Sequence, residues 1–129
     1  MIKASLVGLL IFMPLTLIAF QAGAFDKGFL AYMFNDFDAA LKTWKEKAKL
    51  GNATAQANIA NLYENGNGVV KSNVLAHLWY SLAVINGSAN ATKNKDEIEK
   101  KMTKAELNRS MELVSLCLDS KYENCGFLK

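Results

Sequence analysis

Residues 51–87 read GNATAQANIANLYENGNGVVKSNVLAHLWYSLAVING, and this stretch decides the fold. Asn52 is suited to cap a helix, because its side-chain oxygen can accept from an N–H that the first turn leaves unpaired. The spacing that follows predicts a helix over residues 53–64, with Ala55, Ile59, Leu62 and Tyr63 on its inner face. Asn65-Gly66-Asn67-Gly68 cannot continue a helix and makes a turn. A second helix is predicted over 74–86, started by Ser72 or Asn73. Leu75, Ala76, Leu78, Trp79, Leu82, Ala83 and Ile85 leave it a thin polar stripe of Asn73, His77 and Ser81. A helix apolar nearly all round packs on more than one side, so this one is central. Gly87 ends it.

Working outward, the flanks carry the same helical period. Residues 25–34 predict a short first helix in which Phe29, Tyr32 and Met33 share a face, and Asp36 is placed to cap the next. Over 37–50, Phe37, Ala40, Leu41, Trp44 and Ala48 step by three and four, and Gly51 suits the left-handed residue that closes a helix. Residues 89–101 supply Ala91, Ile98 and then Met102 for burial, with Asp96–Lys100 and Glu97–Lys101 spaced as ion pairs. Thr103 and Glu106 form a capping box, and a last helix over 104–119 is predicted to bury Leu107, Met111, Val114 and Leu118. With its only proline at Pro14, the chain after residue 24 reads as all-α.

The pattern repeats. Ala40 and Ala76, Trp44 and Tyr80, Ala48 and Val84, Gly51 and Gly87, Ala53 and Ala89, and Ala55 and Ala91 each lie 36 residues apart. A helix pair that cannot bury its apolar face alone does so by stacking on its neighbours. Gly51, Ala53, Ala55-Gln56, Ile59-Ala60, Tyr63, Gly66-x-Gly68-Val69, Ala76, Trp79-Tyr80, Ala83 and Gly87 together resemble the Sel-1-like repeat, a tetratricopeptide-related module. The resemblance covers one full repeat (52–87). A half repeat precedes it (26–51), matched at Gly28, Tyr32, Ala40, Trp44 and Ala48, and a degenerate, capping repeat follows (88–129). Ile59-Ala60 stands where the family usually has Leu-Gly, and Ser72 where Asp often follows the glycine loop.

The resemblance implies a short α/α solenoid that binds protein or peptide. In that architecture the first helix of each pair lines the groove, which singles out Asn58, Asn61 and Glu64, with Lys27 and Leu30 at the matching places in the half repeat. Some cysteine-rich bacterial relatives are associated with penicillin binding. A periplasmic β-lactam or peptidoglycan binder, or a hydrolase, is therefore the alternative.

Residues 1–24 look like a secretory signal peptide: Lys3, an apolar run over 6–20, and Ala22-Gly23-Ala24 as the cleavage site. An uncleaved anchor is the alternative reading of that run. Export, to a periplasm or beyond if the source is bacterial, favours a disulfide between Cys117 and Cys125 over two free thiols. A formal charge of only +3 leaves no footprint for nucleic acid.

Reaction chemistry has little to stand on. His77, the only histidine, reads as a solvated residue on the polar stripe. Neither G-x-S-x-G, H-E-x-x-H nor S-x-x-K occurs. The 65–68 loop lacks the carboxylates of a calcium site, and Asp36 and Asp38 read as caps. The expectation is a monomeric, non-enzymatic interaction domain with a protein or peptide partner, without metal or cofactor and without stable membrane insertion once the leader is removed.

Overall fold

A computed structural model of the chain describes residues 26–126. The predicted leader over 1–24 lies outside the described residues. Six helices follow in order: α1 (Lys27–Met33), α2 (Phe37–Lys49), α3 (Ala53–Asn65), α4 (Asn73–Ile85), α5 (Ala89–Glu99) and α6 (Lys104–Asp119). The described residues contain no strand. The all-α expectation holds, and the element bounds agree with the sequence reading to within two residues.

Side chains set both ends of these helices. Asp26, Asp36, Asn52, Ser72, Ser88 and Thr103 each accept from a backbone N–H of the helix that follows. Thr103 and Glu106 complete the predicted capping box.

At the C-terminal end of α2, Gly51 N–H donates to Ala48 O at 3.0 Å and Asn52 N–H to Lys47 O at 3.2 Å. At the end of α4, Gly87 N–H donates to Val84 O at 3.0 Å and Ser88 N–H to Ala83 O at 2.9 Å. The two closures are the same Schellman motif, shifted by 36 residues at every position. Gly51 and Gly87 take the left-handed conformation that the motif requires. In each case the last residue of the closure caps the following helix, so the chain reverses with almost no loop.

α4 is the centre of the packing. It contacts α3, α5 and α6, while α2 bridges α1 and α3. Every residue from Leu75 to Ala83 is buried, His77 and Ser81 included. The core around it holds Ala40, Trp44 and Ala48 from α2, Ala55, Ile59, Ala60, Leu62 and Tyr63 from α3, and Ala91 and Ile98 from α5. The predicted inner face of α3 is therefore the observed one. Buried Gln56 ties its surroundings together by donating to Ala48 O at 3.1 Å and accepting from Asn86 Nδ2 at 3.0 Å.

Three details differ from the sequence reading. In α6 the buried residues are Ser110 and Cys117, with Leu113 and Val114 partly covered, whereas Met111 and Leu118 are exposed. The helix is turned by roughly 80° from the predicted face, at about 100° per residue. Two ties set that rotation: Ser110 bonds to His77, and Cys117 is joined to Cys125 by a disulfide. Gly126, beside Cys125, packs so tightly on Leu75 that an added Cβ would lie 2.8 Å from its Cδ2.

In α1, Phe29 and Met33 point outward, and the face against α2 is Gly28, Ala31 and Tyr32. Only Gly28 lets the backbone come this close to Trp44. Around α5 the ion pairs are Lys95–Glu99, Lys95–Asp96, Lys100–Glu97 and Lys101–Glu64 rather than the two predicted.

Candidate functional site

His77 is the largest departure from the sequence reading. It is 2% exposed, not solvated. Its Nε2 lies 2.8 Å from Glu99 Oε1 on α5, and its Nδ1 lies 2.7 Å from Ser110 Oγ on α6. Lys95 Nζ reaches the same Glu99 oxygen at 2.7 Å. Ser81, one turn on, donates to the His77 carbonyl at 2.7 Å.

The ionisation state follows from these contacts. Hydrogen bonds from Lys95 and then His77 hold the Glu99 carboxyl below its ordinary range, against the opposing effect of burial. Glu99 is thus a carboxylate at neutral pH and can only accept, so His77 Nε2 carries the proton. In the neutral imidazole, Nδ1 then accepts from the Ser110 hydroxyl. One buried side chain on α4 thereby ties down both α5 and α6.

The order Ser110–His77–Glu99 has the residue types of an acyl-transfer relay. Its geometry does not serve one. Ser110 sits inside α6 at 0% exposure. A nucleophile needs a substrate carbonyl within about 3 Å. The neighbouring cavity, about 360 Å³, is lined by Leu107, Met111, Val114 and Ser115 together with His77, Ser81, Lys95 and Glu99; Ser110 does not line it. The cluster works as a polar clasp under a small, largely apolar hollow.

The groove residues expected from the sequence fall on α1 and α3. Lys27 and Leu30 are exposed, and Asn58 and Asn61 are half-buried. The Tyr32 hydroxyl donates to Asn61 Oδ1 at 3.4 Å, which draws α1 against α3. Glu64 has an internal role. It accepts from the Tyr80 hydroxyl at 2.8 Å and faces Lys101 Nζ at 3.7 Å. Burial, and then the bond to Glu64, push the Tyr80 hydroxyl well above the ordinary tyrosine range, so it stays a neutral donor.

At the start of α1, Asp26 accepts from Gly28 N–H at 3.0 Å, Trp44 Nε1 at 3.0 Å and Lys47 Nζ at 2.9 Å. Burial alone would raise its carboxyl, but the bonds from Lys47, Trp44 and Gly28 outweigh it and hold it below the usual range. Among the described residues no three His, Cys, Asp or Glu side chains cluster closely enough to hold a metal ion. No helix of the described residues is long and apolar enough to cross a membrane. Comparison of the chain with protein-family models and with curated proteins finds no match.

Sequence reasoning missed the clasp because its three members come from three helices, 22 and 33 residues from His77. One signal was present: a single polar stripe on a helix otherwise apolar all round. In such a helix the stripe also faces a neighbour, and its polar groups need partners there.

Proposed function

We propose that this chain is an exported, non-catalytic protein-interaction domain whose helix pairs form a short solenoid of the Sel-1-like kind. The observation that carries this reading is the recurrence of one closure and one core at an offset of 36 residues. The Schellman motifs at Gly51 and Gly87 share every hydrogen bond, and Ala40 and Ala76, Trp44 and Tyr80, and Ala55 and Ala91 are buried in pairs. Repeated helix pairs of this sort present extended surfaces for other chains. The Cys117–Cys125 disulfide supports export, because such bonds persist in oxidising compartments.

The partner in this reading is an extended peptide lying along α1 and α3. Asn58 clamps its backbone with its side-chain amide, and Leu30 and Lys27 contact its side chains. Asn61, engaged by Tyr32 and Tyr80, and Glu64, engaged by Tyr80 and Lys101, leave this set. Selection of displayed peptides on the intact protein tests the idea. A selected peptide is expected to bind Asn58→Ala at least about tenfold more weakly, a loss of roughly 1.4 kcal/mol, with the melting temperature unchanged. Equal binding by both proteins removes the groove. Covalent labelling by a fluorescent penicillin, abolished in Ser110→Ala, would replace this reading with an acyl-enzyme.

A further inference from the structure

Asn-Gly occurs three times in the chain, at Asn65-Gly66, Asn67-Gly68 and Asn86-Gly87. This pair is prone to self-modification, because a glycine carries no Cβ to shield its nitrogen from the preceding side chain. The attack needs two freedoms. The glycine N–H must give up its proton to base, and the asparagine carboxamide must swing onto the nitrogen. A hydrogen bond on either group must break first.

The three pairs differ sharply in these respects. Asn65 is the last residue of α3, its Nδ2 donates to Asn61 O at 2.9 Å, and Gly66 N–H donates to Leu62 O in the helix closure. Asn86 is held more tightly. Its Nδ2 reaches Gln56 Oε1 at 3.0 Å, Leu82 O at 2.9 Å and the Tyr122 hydroxyl at 3.1 Å, and Gly87 N–H donates to Val84 O at 3.0 Å. Asn67 is anchored only through its backbone, where its N–H donates to Leu62 O at 3.0 Å. Among the described residues its carboxamide and the Gly68 N–H have no hydrogen-bond partner. Asn67 is half-buried and Gly68 exposed, so water and base reach the pair.

We infer that Asn67 is a site of spontaneous modification, converted in the folded protein to aspartate and isoaspartate. The Gly68 nitrogen, its proton lost to hydroxide, attacks Asn67 Cγ. The new N–Cγ bond closes a succinimide, and the Cγ–Nδ2 bond breaks as that nitrogen takes a proton and leaves as ammonia. Water then opens the ring. Cleavage of the N–Cγ bond leaves aspartate, and cleavage at the Asn67 backbone carbonyl leaves isoaspartate. No oxidant or cofactor enters, and the loop gains one negative charge. The fold acts by selection, since its closures protect two of three like pairs and leave the third open. The inference rests on neither the peptide groove nor the His77 clasp.

Ageing of the intact protein at physiological temperature and mildly alkaline pH tests it, with a parallel sample in urea. Tryptic peptides 50–71 and 72–93 separate Asn65 and Asn67 from Asn86, and fragmentation by electron transfer assigns the residue and distinguishes the two products. In the folded protein Asn67 is expected to react at least about tenfold faster than Asn65 or Asn86, the equivalent of roughly 1.4 kcal/mol in barrier. The rate is expected to rise with hydroxide concentration. In urea, where every closure is lost, the three pairs are expected to react at similar rates. Asn67→Gln is expected to leave the folded protein without the fast phase.

A folded protein in which Asn65 or Asn86 reacts as fast as Asn67 overturns the inference. So does an Asn67 that stays intact while the sample in urea reacts, and so does a preference for Asn67 that persists unchanged in urea, since the fold would then not be its source.

Discussion

Gly28→Ala separates sequence reasoning from structural reasoning by sign. In a helix, alanine is favoured over glycine by up to about 1 kcal/mol, so α1 taken alone predicts stabilisation. The tertiary contact predicts the reverse. A Cβ at Gly28 would lie 2.7 Å from Trp44 Cδ1 and 2.9 Å from Cε2, and closer still to Nε1. The indole is rigid and 2% exposed, and its Nε1 donates to Asp26 at 3.0 Å. It cannot retreat without compressing the core or breaking that bond.

Overpacking of this kind costs about 1–3 kcal/mol. A hydrogen bond to a charged group contributes about 1.5–3 kcal/mol. With the alanine gain set against them, the variant is expected to lose about 2–4 kcal/mol. For a domain of this size that lowers the melting temperature by about 10–20 °C. Thermal unfolding followed by far-ultraviolet circular dichroism, with urea unfolding alongside, measures the change. In a double-mutant cycle, Trp44→Leu should remove most of the Gly28→Ala penalty, giving a coupling above about 1 kcal/mol. A Gly28→Ala protein as stable as the wild type, or more so, would refute the close approach of α1 to Trp44.

Two further perturbations probe the ties that orient α6 and α5. Reducing the Cys117–Cys125 disulfide, which spans 8 residues, or replacing both cysteines by serine, is expected to cost about 2–3 kcal/mol in urea unfolding. Glu99→Gln is expected to destabilise at neutral pH, with a loss that depends on acidity. The Glu99 carboxyl is held below its ordinary range in the folded protein, chiefly by Lys95 and then His77. Its contribution is therefore complete above about pH 5 and is lost as pH falls through the lower folded value. Unfolding measured from neutral pH to about pH 2 should show the wild type and the variant converging, and a gap that stays constant would exclude a charged Glu99 in the clasp.

Local sequence determined the helices of this protein. Each has a short polar residue at its start, and at Gly51, Asn65-Gly66 and Gly87 the chain carries residues suited to end one. Caps and terminators act within a few residues, so their effect is legible without the fold. The inner face of α3 and the centrality of α4 were also legible, because apolar spacing on a regular helix reports burial directly. Only the tertiary structure decided the rotation of α6, the outward turn of Phe29 and Met33, and the burial of His77. Leu107, Met111, Val114 and Leu118 make as good an apolar stripe as the face that is used. The choice between them was settled by a disulfide and a serine–histidine bond, not by periodicity. His77 was placed by partners 22 and 33 residues away, and hydrogen bonds between helices depend on how those helices pack. A single-helix pattern shows that a polar stripe exists, but not which charge and which hydroxyl will meet it.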